Sequence, residues 1–583
     1  MAETLISPGV LALENDQSFI TQQPVVVGAA IIGPTVKGPV EQPTVVTSYS
    51  DYQNKFGTTF ISASNIYTYF TSIAAYNYFA NGGETLLVAR VTSGSFTSAT
   101  TSTGSVTGGA GGGVSILNSA SLAEALVLNT ISQGTIMNST SSLGTNGILP
   151  SGSADNIRWQ ITNQDTANGT FSLLIRQGDD TATTPSVLES WTNLSMDPTA
   201  PNFVSKVIGD QYRQYNSVDN QIEVLGTYPN ASRYVYVASV KTPTPFFFDN
   251  NGTAKSSLTG SIPANASGSF TGATGNLFGA GAKFYNNIVS GVTNIQGILS
   301  SSYDNMINLF ANQDDYRFNA LITPGLFASE APLGSSQVTS IISNTENRGD
   351  NIFIPDLVPY SSSITTVTTQ ANAKNTSYAA SYWPWVQTID PDSAQLVWVP
   401  ASTMVAGVYA YNDTVSEPWF APAGINRGGL NTVVRAEKKL TQANRDTLYQ
   451  NKVNPISTLP GTGTVIYGQK TLQTKASALD RVNVRRLLIS LKSYISQVAQ
   501  NLVFEQNTIA TRTNFLNQVN PYLESVQQRQ GLYAFRVVMD DSNNTPDVID
   551  RNELVGQIYL QPTKTAEFIY LNFNILPTGA QFS

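Results

Sequence analysis

The last hundred residues show the clearest alternation of hydrophobic and polar positions. From Val484 onward, apolar residues recur at steps of three and four, which places them on one stripe of a helix. The stripe consists of Val484, Leu487, Leu488, Leu491, Ile495, Val498, Ala499 and Leu502. Ser477 and Asp480 stand at capping-box spacing before it, so the helix is predicted to begin there. A second helical pattern, 515–526, is interrupted at Asn520-Pro521, where we expect the helix to stop and restart.

After Gly531 the period of the pattern changes from 3.6 to 2, which is typical of strands. Three runs alternate in this way, namely 533–539, 554–560 and 568–576. One face of the last run carries the large apolar residues Ile569, Leu571, Phe573 and Ile575. The pattern therefore predicts a C-terminal α+β domain, helices followed by strands, over residues 477–583.

Buried strands are predicted near the start and in the middle of the chain. The run 25–32 is continuously apolar, which suits a strand buried on both faces. A similar run, 318–323, is expected to end at Pro324-Gly325. A helical pattern at 337–344 and a strand at 351–354 follow it. This strand–helix–strand order predicts a crossover unit in a partly parallel sheet.

The residues between these runs differ in composition. The segment 93–155 is rich in Ser, Thr and Gly, and a flexible linker and a small β-rich domain both fit it. Long structureless segments inside a compact chain are uncommon, so we favour a domain. Alternating runs at 157–162 and 171–177 predict a second inserted β-rich domain over 156–310.

These patterns give a domain organisation. We predict that 24–92 and 311–476 are two halves of one discontinuous core domain, because insertions are tolerated at surface loops. The inserted residues 93–310 are neutral and loop-rich, and we expect them on the outside. Residues 1–23 are predicted to be a short extended N-terminal segment. The fold class is thus α/β and α+β multidomain, with terminal β-strand arms and β-rich inserted outer domains.

Composition excludes several kinds of chemistry. The 583 residues include no cysteine and no histidine, which rules out disulfides, thiolate nucleophiles, Cys/His zinc sites and histidine-based triads. No Walker-type phosphate loop is present, and we expect neither a cofactor nor a metal. The net charge of -8 argues against nucleic acid or an anionic membrane as a partner. No apolar run reaches eighteen residues and the start is polar, so a soluble chain that is not exported is expected.

An acidic stretch near the C-terminus resembles a calcium loop. It contains Asp540, Asp541, Asn543, Asp547 and Asp550. An EF-hand loop needs Gly at its sixth position, and counting from Asp541 that position is Pro546. We therefore interpret the stretch as a turn between two strands.

Two further sets of residues have both a functional and a structural interpretation. The tryptophans at 383, 385, 398 and 419 could bind sugars or bases, but a packed core is favoured because aromatic side chains are chiefly hydrophobic. Two carboxylates can hydrolyse a glycoside without histidine, although no pair here is singled out. The long helix has a basic side, for which a solvated face is the default and a binding or salt-bridge surface the alternative. That side consists of Arg481, Arg485, Arg486 and Lys492.

Several segments carry a family resemblance. In the C-terminal region these are LDRVNVRRLLISLKSYI (479–495), NLVFEQN (501–507), YAFRVVMDDSNNT (533–545) and EFIYLNF (567–573). Together they resemble the C-terminal domain of contractile tail sheath proteins, especially those of T-even-type myoviruses. Further segments resemble the family's N-terminal and central parts, among them SPGV, VVVGAAIIGP, YFANGGETLLVARV (78–91) and SYWPWVQTIDP to EPWFAPAGINRGGL (381–430).

The resemblance implies a structural protein of the virion tail and no enzymatic activity. Such subunits assemble in the host cytoplasm into a six-start helical homo-oligomer, built of hexameric rings, around a tail tube protein. A baseplate and a tail terminator are further partners, with no nucleic acid and no direct membrane insertion. Contraction drives the tube through the host envelope for genome delivery. The alternatives are the sheath of a bacterial contractile injection or pyocin-like system, or a tail-associated carbohydrate-degrading enzyme.

Sheath subunits are also joined by terminal arms, which the resemblance places at both ends of this chain. By this resemblance, residues 1–23 are an extended N-terminal arm that joins the domain at 477–583. Burial of the apolar face of run 568–576 gives about 6–12 kcal/mol gross. Ordering about ten residues costs on the order of 10–20 kcal/mol, so the strand has to add to a preformed sheet edge. The residues predicted to join subunits are Val10, Leu11, Leu13, Ile569, Leu571, Phe573 and Ile575.

Overall fold

The structure is a computed structural model of the 583-residue chain. It describes residues 26–62, 65–102, 113–140, 143–277, 294–296, 298–329 and 334–567. The predicted arm residues Val10, Leu11, Leu13, Ile569, Leu571, Phe573 and Ile575 lie outside these ranges. None of the helices within the ranges combines the length and the apolar character that a membrane crossing requires.

Residues 26–92 form the first half of the core. Ser48 accepts a hydrogen bond from the Asp51 N–H and so caps the first helix. The second helix is apolar on almost every side and is buried accordingly. The elements are β1 (Val26–Gly33), β2 (Thr44–Val46), α1 (Tyr49–Phe56), β3 (Thr59–Ser62), β4 (Asn65–Thr68), α2 (Phe70–Ala80) and β5 (Leu86–Arg90).

The segment between the two halves is mostly strands. In chain order its elements are β6 (Ser98–Thr100), β7 (Ile116–Leu117), β8 (Glu124–Gln133), β9 (Ile157–Asp165), β10 (Thr170–Gln177), β11 (Val187–Ser195), α3 (Val204–Ile208), β12 (Tyr212–Asn216), β13 (Gln221–Leu225), β14 (Val235–Val240), α4 (Ser256–Thr259), β15 (Ala266–Ser269), β16 (Asn294–Ile295), β17 (Ile298–Leu299) and α5 (Asp304–Leu309).

The described parts of 93–155 and 156–310 share one hydrophobic core instead of having one each. Strands β14, β8 and β6 form one sheet, in which β7 also pairs with β8, and β11, β10, β9 and β15 form another. The apolar sides of both contribute to a single cluster that runs from Ala99 to Ala273. A short sheet with one apolar face needs a second layer to cover it, which neither segment supplies alone. Residues 298–310 depart from the predicted boundary too, since Ile298, Met306 and Phe310 pack in the core domain.

The second half of the core follows. Its elements are β18 (Arg317–Phe327), α6 (Ser335–Arg348), β19 (Ile352–Asp356), α7 (Ile364–Asn372), β20 (Ser381–Trp383), β21 (Val386–Ile389), β22 (Leu396–Val399), α8 (Ser402–Val415), α9 (Gly424–Arg427), β23 (Val433–Ala436), α10 (Gln442–Gln450), β24 (Val453–Leu459) and β25 (Gly463–Ile466).

The two halves meet in one five-stranded sheet of order β19-β18-β1-β5-β2. Strand β1 is parallel to both β18 and β5, and Ala30 lies opposite Leu321 on one side and Leu87 on the other. Successive residues of β1 enter different hydrophobic clusters on the two faces of the sheet. The predicted doubly buried strand is therefore present. Strand β18 continues past Pro324 to Phe327, with a register shift at this point and a φ of 90° at Gly325, so the predicted end there is wrong.

A buried carboxylate connects this sheet to helix α8. Asp356, the last residue of β19, accepts hydrogen bonds from the Ser402 N–H at 3.1 Å and the Ser402 hydroxyl at 2.6 Å. It thereby occupies the N-terminus of α8. Burial raises the pKa of Asp356 to about 7, which these hydrogen bonds only partly offset.

We expect Asp356→Asn to change how stability depends on pH. Because the pKa of this carboxyl is raised on folding, its contribution to stability is complete below the unfolded value and is lost as the pH rises towards 7. Asn keeps the shape without ionising, so the melting temperature of the variant relative to the native protein should increase between pH 5 and 8. If the melting temperatures of the two proteins instead differ by the same amount at every pH in that range, Asp356 does not titrate there.

The C-terminal domain consists of α11 (Val482–Gln500), α12 (Ile509–Gln528), β26 (Leu532–Val538), α13 (Pro546–Asp550) and β27 (Gln557–Pro562). Ser477 caps a short 3-10 turn at 478–480, after which α11 begins. Helix α12 is continuous through Pro521, so the predicted interruption is wrong. Buried residues lie on both sides of that proline, and their packing outweighs the roughly 3 kcal/mol that proline costs in a helix. They are Phe515, Val519, Leu523 and Val526.

Candidate assembly site at the C-terminal domain

The basic side of α11 is buried at its N-terminal end. Arg485 and Arg486 are only 4% and 6% exposed, so the predicted solvated face is wrong for both. The Arg486 guanidinium lies 4.7 Å from the centre of the Tyr409 ring and donates to the Asp413 carboxylate. The Arg485 guanidinium lies 3.9 Å from the centre of the Tyr378 ring. These contacts tie the C-terminal domain to the core domain.

Helix α11 is enclosed because it packs in two directions. Val482 and Ile489 belong to the hydrophobic cluster of the core sheet. Leu487 and Leu491, on the predicted stripe, belong to a separate C-terminal cluster with α12. A single amphipathic stripe accounts for only the second contact, which is why the sequence pattern left the arginines in solvent.

Trp419 joins the two domains from the core side. It is 6% exposed and lies in the C-terminal cluster. Its indole N–H donates to the Arg529 carbonyl at 2.9 Å, and the Arg529 guanidinium lies 5.1 Å from the ring centre. The predicted packed-core role of the tryptophans is confirmed for Trp383, Trp385 and Trp419, while Trp398 is half-buried beside Tyr360.

Strands β26 and β27 form a two-stranded antiparallel hairpin on the outside of this domain. Phe535 and Leu560 are paired and face the C-terminal cluster. Tyr533 and Tyr559 are 61% and 56% exposed. Within the described residues each strand pairs only with the other, so both outer edges present backbone groups without a strand partner. The hairpin can therefore accept an additional strand at either edge.

The acidic stretch forms the connection between these strands. Asp540 accepts from the Ser542 N–H at 2.8 Å, and Arg512 pairs with Asp541 at 2.7 Å. The Asn544 side chain donates to the Val555 carbonyl at 2.9 Å and closes the loop. Across the described residues, no three Asp or Glu side chains come together as metal ligands. Asp540, Asp541 and Asn543 therefore lie in a turn, as predicted, whereas Asp547 and Asp550 lie in the short helix α13.

A polar network holds the last described residue, Glu567. Its carboxylate accepts from Arg481 Nε and Nη2 at 2.7 and 2.9 Å, from the Tyr449 hydroxyl at 2.7 Å and from Gln469 Nε2 at 3.1 Å. Burial alone would raise the pKa of Glu567, but the hydrogen bonds and charge of Arg481 hold it below its usual range. The adjoining groove, of about 600 Å³, is lined by 476–478, 480–481, 483–484 and 564–567.

The sequence analysis missed this network. Glu567 and Arg481 are 86 residues apart, and no local pattern indicates that their side chains contact each other. The remaining basic residue, Lys492, is exposed and donates to the Tyr378 hydroxyl at 3.2 Å. The predicted joining residues in both arms lie outside the described residues, so their role stays a prediction.

Two family models match the chain. One, described as the phage tail sheath protein central domain, matches residues 301–472. The other, described as the phage tail sheath C-terminal domain, matches residues 474–576. The class of these residues is therefore defined: 301–472 and 474–576 are similar to the central and C-terminal domains of phage tail sheath proteins, and the resemblance found in the sequence is confirmed.

Individual relatives agree with this class. The tail sheath protein of Vibrio phage KVP40 is 47% identical over 186 residues, and that of Enterobacteria phage T4 is 43% identical over 185 residues. Each alignment covers 32% of this chain, which spans only 28% of the length of either relative. The crystal structure of a sheath tail protein from Listeria innocua has a TM-score of 0.50 at 10% identity, covers 93% of this chain and 96% of that one, and shows a shared fold.

Proposed function

We propose that this chain is the subunit of a contractile tail sheath. Copies of it form a helical sheath around a tail tube, and contraction drives the tube through the host envelope for genome delivery. The observation that carries the proposal is the match of both domains to tail sheath proteins. The hairpin β26–β27, with its two open edges in the described structure, supplies a place where subunits can join.

In this proposal the terminal arms add strands to the hairpin of neighbouring subunits. The N-terminal arm (residues 1–23) contributes through Val10, Leu11 and Leu13. The C-terminal arm (residues 568–583) contributes through Ile569, Leu571, Phe573 and Ile575. Strand addition supplies main-chain hydrogen bonds together with burial of alternate side chains, as such an arm requires.

The buried junction lets each subunit move as one piece. Arg485, Arg486 and Trp419 fix the C-terminal domain to the core domain. In the proposal the arms then keep neighbouring subunits connected while the subunits rotate and move outward. Energy is stored in subunit contacts at assembly, so contraction requires neither nucleotide nor metal.

The inserted segment is proposed to decorate the outside of the sheath. It is held on the core domain by an ion pair between Lys37 and Asp155 at 3.2 Å. The fully buried Arg90 also donates to the carbonyls of Gly38 at 2.5 Å and Gln133 at 2.8 Å. These contacts fix the base of the insertion, so it travels with the core.

The partners in this proposal are further copies of the chain, a tail tube protein, a baseplate and a tail terminator. The subunit is a structural component of the virion tail, assembled in the host cytoplasm. Its surface, acidic overall, does not favour nucleic acid.

Electron microscopy of the purified protein tests the proposal. We expect long striated tubes under conditions that promote tail assembly, because each subunit both offers arms and accepts them. Discrete oligomers that cleave glycans would instead support a tail-associated enzyme. Co-purification with a bacterial injection apparatus, in place of phage tails, would assign the sheath to that system.

A further inference from the structure

The chain leaves hairpin β26–β27 and returns to the core domain before the C-terminal arm begins. The Thr563 N–H donates to the Gly531 carbonyl at 3.1 Å, which is the last backbone contact with the hairpin. The Thr565 hydroxyl then accepts from Gln469 Nε2 at 2.6 Å. Two residues later, Glu567 enters its network. The described end of the chain is therefore attached to the core and not only to the hairpin.

The donors to Glu567 come from three separate parts of the chain. Tyr449 lies on α10, Gln469 follows β25, and Arg481 immediately precedes α11. Arg481 contributes two parallel hydrogen bonds, the strong geometry for an arginine and a carboxylate. Because the carboxylate is held from three directions, both its position and its orientation are fixed.

The platform under Glu567 is itself rigid. Lys470 and Arg481 form an antiparallel bridge, and the Val482 N–H donates to the Gln469 carbonyl at 2.8 Å. Arg481 also pairs with Asp480 at 2.9 Å. The side chains of Glu567 and Arg481 are 18% and 25% exposed, so solvent screens their ion pair less than it screens an exposed pair.

We propose that Glu567 is a clamp that fixes the C-terminal arm to the core domain of its own subunit. This inference relies on the proposed function for what the arm does beyond residue 567. A force that a neighbouring subunit exerts on the arm is then transmitted to α10, α11 and the segment after β25. The hairpin does not carry that force. Without the clamp, the next restraint back along the chain is the hydrogen bond between Thr565 and Gln469. The two released residues would add roughly 7 Å of slack at about 3.3 Å each.

Trypsin cleavage after Lys564 tests the clamp without reference to assembly. Lys564 is exposed, but residues on both sides of it are held. Cleavage at this bond in the folded monomer, followed by mass spectrometry, should become about tenfold faster in Glu567→Ala, because charge-assisted hydrogen bonds are lost. Tyr449→Phe removes one hydrogen bond and should give a smaller increase.

Glu553→Gln is the matched control. It also removes a carboxylate that pairs with an arginine, at 3.0 Å from Arg551, but both side chains are more than half exposed. Cleavage after Lys564 should be unchanged in this variant. Equal cleavage rates in native, Glu567→Ala and Tyr449→Phe proteins would overturn the clamp.

Assembly then separates the clamp from the function on which it relies. Tubes of Glu567→Ala should dissociate at a lower urea concentration than native tubes, while tubes of Glu553→Gln match the native ones. If the native protein forms no tubes, the proposed function fails, and the cleavage experiment still decides the clamp. If Glu567→Ala tubes are as resistant as native tubes, the clamp does not carry tension between subunits.

Discussion

Removing residues 572–583 should abolish sheath assembly and leave the melting temperature of the monomer nearly unchanged. The deletion takes away Phe573 and Ile575 from the apolar face of the C-terminal arm. In the proposed assembly each subunit would also lose ladder hydrogen bonds worth about 0.5–1.5 kcal/mol apiece, in a contact repeated along the whole tube. Thermal unfolding and electron microscopy of the same preparations measure the two effects.

Point substitutions in the arm provide the control. Leu571→Asp or Phe573→Asp should mimic the deletion, since each puts a charge on the face that is buried on strand addition. Asn572→Asp adds the same charge on the opposite face and should be milder. Tubes of normal length and stability from the truncated chain would show that this arm does not join the subunits.

Trp419→Ala should lower the free energy of unfolding of the C-terminal domain by about 3–5 kcal/mol, the usual cost of removing a buried aromatic side chain. The substitution opens a cavity between the core domain and α12. It also leaves the Arg529 carbonyl without its indole donor and the Arg529 guanidinium without its ring. The rate of amide hydrogen exchange in α12 should rise in this variant. The rate in β1 should not change until that in α12 has risen.

Trp419→Phe separates packing from hydrogen bonding. Phe keeps an aromatic ring at the site but cannot donate to the Arg529 carbonyl, so the expected loss is only about 0.5–1.5 kcal/mol for the hydrogen bond, with a smaller cavity cost. The half-buried Trp191 of the inserted segment offers a comparison, because its truncation should not affect exchange in α12. Unchanged exchange in Trp419→Ala would show that this junction does not stabilise the domain.

The elements that could be predicted from the sequence are those whose hydrophobic pattern indicates which of their faces are buried. Strand β1 is continuously apolar and is covered on both faces, and the core part of β18 behaves in the same way. Helix α11 was also predicted within a few residues, since its stripe packs on α12. Pro521 shows the limit of local rules, because packing on both sides of it keeps α12 continuous.

The candidate site depended on contacts that no local pattern contains. Arg486 forms an ion pair with Asp413, and Glu567 forms one with Arg481, although the partners are far apart in the sequence. A basic residue opposite an apolar stripe looks solvated unless a second domain covers it. The shared core of the inserted segment was missed for a related reason, since composition changes along the chain do not report which segments pack together.

The position of β1 between β5 and β18 also sets an order of events during synthesis. Its partner β18 emerges roughly 290 residues later, which at about 5–20 residues per second leaves β1 waiting for some 15–60 seconds. During that time an apolar strand edge is available for aggregation. The inserted segment has its own core, so its early folding would bring the two halves together and lower the entropic cost of closing the sheet. The insertion would then assist the folding of the core domain. The first effect of shortening it would be a lower yield of soluble subunit.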